Sequence, residues 1–139
     1  MRAALLVAAL GACGGAHPPE TPRLEKENQI TALWTQIREF RQRAHMRVEP
    51  SKADFFQVVD KTVNQAAQVC PDGHDIAPTC SDICSLADAI CDNAETICTI
   101  ADELGKQDDY AQDKCKSAKA SCREAKVKCC GCTPGGATP

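Results

Sequence analysis

CSDICSLADAICDNAETICTIADELGKQDDYAQDKCKSAKASCREAKVKCCGC, residues 80–132, carries nine of the chain's 11 cysteines. Cys84, Cys91 and Cys98 stand seven apart, and so do Cys115, Cys122 and Cys129. Seven residues is two turns of helix, so each trio marks one stripe of a helix. Between the trios, Gly105-Lys106-Gln107-Asp108 offers a helix stop followed by a helix cap. Folding the two helices antiparallel about that turn sets Cys98 against Cys115, Cys91 against Cys122 and Cys84 against Cys129. The residue numbers of every pair add to 213, so one register serves all three. A disulfide needs Cα atoms about 4.4–6.8 Å apart, which helices reach only where neighbouring side chains are small. Ala87, Ala94 and Ala101 on one helix and Ala111, Ala118 and Ala125 on the other repeat beside the cysteines. The expected unit is an antiparallel helical hairpin cross-linked by a disulfide ladder.

A second stripe on the first of these helices, Ile83, Ile90, Ile97 and Leu104, is expected to pack onto helices lying upstream. The other helix has only Tyr110 and Val127 as larger apolar residues, so bridges rather than burial are expected to hold it. Residues 80–103 hold six acids and no base. Residues 108–130 hold Lys114, Lys116, Lys119, Arg123, Lys126 and Lys128 against four acids, a segregation that favours pairing. Of the remaining cysteines, Cys80–Cys132 nearly extends the ladder and leaves Cys70–Cys130; the competing set is Cys70–Cys80 with Cys130–Cys132.

Upstream, Pro22 opens an amphipathic segment in which Leu24, Ile30, Leu33, Trp34, Ile37, Phe40 and Ala44 recur at helical steps. Arg38, Arg41, Arg43 and Arg47 read as its solvated face. Glu49-Pro50 ends it, and Ser51-x-x-Asp54 caps a second helix carrying Phe55, Phe56, Val59, Val63, Ala66 and Val69. The fold class expected is all-α, a small four-helix arrangement. Residues 23–69 form its amphipathic helix pair and residues 80–132 the Cys-ladder hairpin, the whole domain spanning 23–132.

The opening residues read as an address. Met1-Arg2 is a short positive region and residues 3–10 are apolar. Leu10-Gly11-Ala12-Cys13 follows and resembles the lipobox of bacterial lipoproteins. That resemblance implies a signal peptide over 1–12, lipidation and cleavage at Cys13, and a membrane anchor of several acyl chains. Gly14 stands where such lipoproteins carry Asp when retained in the inner membrane, which points to the outer membrane. Removing Cys13 from 11 cysteines leaves ten, an even number for pairing. Residues 13–22 are the lipidated Cys and a Pro-rich tether, and 133–139 a flexible tail.

With 4% aromatic residues the core is thin, and the cysteine content marks a disulfide scaffold of an oxidising compartment. A net charge of −3 gives no reason to expect nucleic acid. The expected function is a membrane-anchored structural or protein-interaction module of the cell envelope. It would sit in the periplasm or at the cell surface and bind an envelope protein. No enzymatic activity, small-molecule substrate or cofactor is expected. The alternative is Cu(I) storage, since bacterial copper storage proteins are four-helix bundles lined with Cys; here only Cys80-x-x-x-Cys84 resembles their close spacing. Asp72, His74 and Asp75 lie together in a loop but lack a second His at ligand spacing and read as turn residues. Asp88, Asp92 and Glu95 read as solubilising. The ladder is similar in logic to the twin C-x9-C hairpins of the mitochondrial intermembrane space. It also resembles other small cysteine-heptad lipoproteins, and both likenesses imply an architecture only.

Overall fold

The computed structural model describes residues 21–71 and 74–133; Cys13, His17 and Asp72 lie outside the described residues. Every regular element among these is helical. The helices are α1 (Pro22–Arg43), α2 (Lys52–Val58), α3 (Val63–Ala67), α4 (Ser81–Leu104) and α5 (Asp109–Cys130), with a 3-10 turn at Pro78–Cys80.

Helices α4 and α5 form the antiparallel hairpin. Gly105, at φ 94°, ends α4 and donates its N–H to the Ala101 carbonyl. That positive φ costs glycine nothing and an L side chain about 1–2 kcal/mol. Asp108 then caps α5 by accepting the Ala111 N–H at 3.0 Å. The Gln112 amide reaches back to the Ala101 and Gly105 carbonyls, adding a second donor to acceptors that the Gly105 and Asp108 N–H groups already engage. The alanines flanking the cysteines are all buried.

Helix α1 lies along α4. Ile30, Trp34 and Ile37 join Ile90, Ile97 and Ile100 in one core. Ile83 and Leu104, the outer members of the isoleucine stripe, are half-buried. Polar contacts fix the same face: Asn93 to Gln36, Lys26 to Glu103, and Arg23 to Asp108. Tyr110 meets the Thr31 hydroxyl at 2.6 Å, and the Lys114 ammonium lies 5.1 Å from the Trp34 ring centroid.

The structure departs from the expected four helices at one place. The helix expected over 51–69 is two, α2 and α3, because Thr62 starts a fresh helix. Its hydroxyl accepts the Gln65 N–H while the Gln65 side chain accepts the Thr62 N–H, a full capping box. Both short helices pack chiefly on α5, though α3 also touches α4 and its Val63 joins the main core. Val58 and Ala66 meet Ala120 on α5. Phe55 is half-buried, but Phe56 is 75% exposed and lies outside the core expected for it.

Helix α5 is therefore enclosed rather than peripheral. Residues 118–122 are buried in succession, which a helix shows only when neighbours cover it on several sides. Its small side chains let α1, α2, α3 and α4 all approach it.

Candidate functional site

The ladder comprises three rungs between α4 and α5. Cys84–Cys129, Cys91–Cys122 and Cys98–Cys115 have Cα separations of 4.8, 4.6 and 4.7 Å. At the open end of the hairpin, Cys80–Cys132 ties the 3-10 turn to the residues after α5, and Cys70–Cys130 ties the segment after α3 to the end of α5. The competing set, Cys70–Cys80 with Cys130–Cys132, is not the one formed. Cys80, Cys84, Cys122 and Cys129 are buried, whereas Cys98 and Cys115 are half-buried and line an open cleft beside Glu95, Asp102 and Lys119. In this oxidised form the ten described cysteines hold their sulfurs in bridges. A Cu(I) site built from them would first require the rungs to be reduced to thiolates.

Two basic residues hold the fold in ways the sequence does not announce: Arg41, expected in solvent, and Lys119, expected to pair with the acidic helix α4. Arg41 is wholly buried, because it continues the core stripe of α1 at 30, 34, 37, 41 and 44. Its Nε donates to the Arg47 carbonyl at 2.8 Å, and its Nη2 donates to the Glu49 carbonyl at 3.1 Å and to Glu124. Glu124 also accepts the Ser51 N–H, so this one carboxylate of α5 holds both α1 and the start of α2. Arg38, by contrast, is half exposed and pairs with Glu49, and Arg43 lies against the Phe40 ring.

Lys119 is the second. Its Nζ donates to the Val59 carbonyl at 3.2 Å and the Lys61 carbonyl at 2.7 Å. These carbonyls sit at the break between α2 and α3. Burial lowers the Lys119 pKa below 10.5, and Lys116 adds to the effect while Asp60 and Asp102 oppose it.

The charge segregation of the hairpin joins its helices through Lys126 and Asp88. Other basic residues of α5 turn elsewhere: Arg123 pairs with Asp54 of α2. Asp92 and Glu95 are exposed, and so are His74 and Asp75 of the loop. Among the described residues no group of three or more His, Cys, Asp or Glu is placed to hold a metal ion, and no helix is long and apolar enough to cross a membrane.

The sequence reading missed Arg41, Glu124 and Lys119. Arg41 was legible as a stripe position, and Thr62-x-x-Gln65 as a helix start. Glu124 and Lys119 carry no local signal, since their partners lie tens of residues away. Protein-family models, curated proteins and solved structures give no match to this chain.

Proposed function

We propose that this chain is an exported, lipid-anchored envelope protein whose domain is a structural or protein-interaction module, with no catalytic role. The observation that carries the reading is cysteine parity. Five bridges consume ten cysteines and leave Cys13, the residue inside Leu10-Gly11-Ala12-Cys13, as the odd one. Five disulfides in so short a chain fit an oxidising compartment, and Cys13 is then free to carry the lipid. An acylated Cys13 would hold the domain at the membrane through several chains. The outer membrane is the expected site, with the domain in the periplasm or at the surface.

A cross-linked domain of fixed register suits a presenting role. The rungs fix the register of α4 against α5, and α1 is joined to both. The partner we infer is another envelope protein. Mass spectrometry of the N-terminal peptide from membrane-extracted protein tests the anchor: diacylglycerol and acyl groups on Cys13 are expected. A mature chain beginning elsewhere, with Cys13 absent or free, would overturn it.

A further inference from the structure

At the end of the domain away from the α4–α5 turn, the segment after α1, the start of α2 and the end of α5 border an open cleft of about 530 Å³. Its charges do not balance. The two carboxylates on its wall are already engaged. Glu124 accepts from Arg41 and from the Ser51 N–H, and Asp54 accepts the Ser51 hydroxyl and faces Arg123 at 3.5 Å. The two cations on its wall are not neutralised. Arg47 has no ion pair among the described residues, and Lys128 donates only to the His45 carbonyl, at 3.2 Å.

The frame holding these cations is fixed. The Arg47 carbonyl is held by the buried Arg41 guanidinium, and that guanidinium keeps a second nitrogen, Nη1, buried with no partner. His45 lies on the cleft wall with φ 55°, a left-handed conformation unusual for a residue other than glycine. It terminates α1: its N–H reaches the Gln42 carbonyl and the Met46 N–H reaches the Arg41 carbonyl. Met46 and the half-exposed Val127 give the cleft an apolar side.

We propose that this cleft binds a phosphate monoester, with Arg47 and Lys128 on the phosphate and Met46 and Val127 against its organic part. Two cations of unlike shape suit a doubly charged oxyanion: the guanidinium offers a fork to two oxygens and the ammonium a point charge to a third. A single carboxylate would leave one of them unmatched. The phosphate can come from a soluble ester or from a lipid headgroup. The proposal goes beyond the anchoring role and does not rest on it, since Cys13 takes no part.

The test is NMR titration of the oxidised full chain. The probes are inorganic phosphate, glycerol 1-phosphate, and short-chain phosphatidic acid against short-chain phosphatidylcholine. Amides at 45–47 and 124–131 should shift with each phosphate monoester, and neither chloride nor phosphatidylcholine should reproduce the shifts. Glycerol 1-phosphate binding as tightly as phosphatidic acid identifies a soluble ester; preference for phosphatidic acid identifies the headgroup. Arg47→Gln with Lys128→Gln should weaken binding by about tenfold or more, as loss of charge-assisted contacts demands. Lys106→Gln with Lys116→Gln should leave binding unchanged. Arg47→Gln alone removes no side-chain hydrogen bond or ion pair among the described residues, so its weaker binding is read on an intact fold, and Arg47→Lys should restore part of it. Shifts absent at millimolar phosphate, or an R47Q/K128Q protein that binds like the wild type, would overturn the proposal.

Discussion

Arg41 of α1 and Glu124 of α5 form an ion pair at 2.5 Å across 83 residues of sequence, with the guanidinium wholly buried and the carboxylate half-buried. The pair sits where α1 ends and α2 begins, and three further hydrogen bonds close around it. Removing one partner strands the other's charge. Arg41→Met is therefore expected to cost about 3 kcal/mol or more, while Arg41→Met with Glu124→Leu recovers much of that loss. A double-mutant cycle by urea denaturation measures it. Additive effects of the two substitutions would show that the pair is not coupled.

Lys119 holds the carbonyls where α2 gives way to α3. Lys119→Met should cost about 1–2 kcal/mol and speed amide exchange at residues 59–66 before elsewhere. The pH dependence has a definite sign. Folding lowers this lysine's pKa below 10.5, so between the two values the unfolded chain binds the proton more fully and stability rises with pH. Unfolding midpoints of the wild type should carry this rising contribution toward about pH 10, and Lys119→Met should lack it.

His45 ends α1 in a left-handed conformation. Glycine at this position removes the Cβ clash, so His45→Gly should raise stability by about 1 kcal/mol, less the entropy glycine adds to the unfolded chain. A lower thermal midpoint for this variant would mean that the imidazole makes a contact worth more than the strain.

The rungs are nested, so each closes a loop that its neighbours have already shortened. Losing the whole Cys91–Cys122 rung by double alanine substitution should loosen the hairpin locally and leave the other helices folded. Cys91→Ala alone should be worse, because the Cys122 thiolate can then attack neighbouring bridges. Refolding yield and the number of disulfide isomers compare the two.

How far the sequence could be read follows from where each signal lies. The rungs were legible because a heptad of cysteines, a heptad of alanines and a Gly-x-x-Asp turn all demand one register. The stripe of α1 was legible too, though Arg41 was set outside it: a charged residue on a core face reads as solvated until its partner is known. Glu124 supplies that partner from another helix, and no local pattern announces it. The α2–α3 break was written in Thr62 and Gln65, but the apolar residues at 55, 56, 59, 63, 66 and 69 read through it. The central position of α5 was hidden for a simpler reason. Alanine and serine give a weak apolar signal, yet they are what allows four helices to crowd around one.

The central claim is that this is an oxidised ladder on an anchored, exported chain. Non-reducing peptide mapping of protein taken directly from membranes, with free thiols blocked at lysis, tests it most directly. The account predicts Cys84–Cys129, Cys91–Cys122, Cys98–Cys115, Cys80–Cys132 and Cys70–Cys130 with no blocked thiol among these ten, and a lipidated Cys13. Near ten blocked thiols with bound Cu(I), or links such as Cys84 to Cys115, would contradict it.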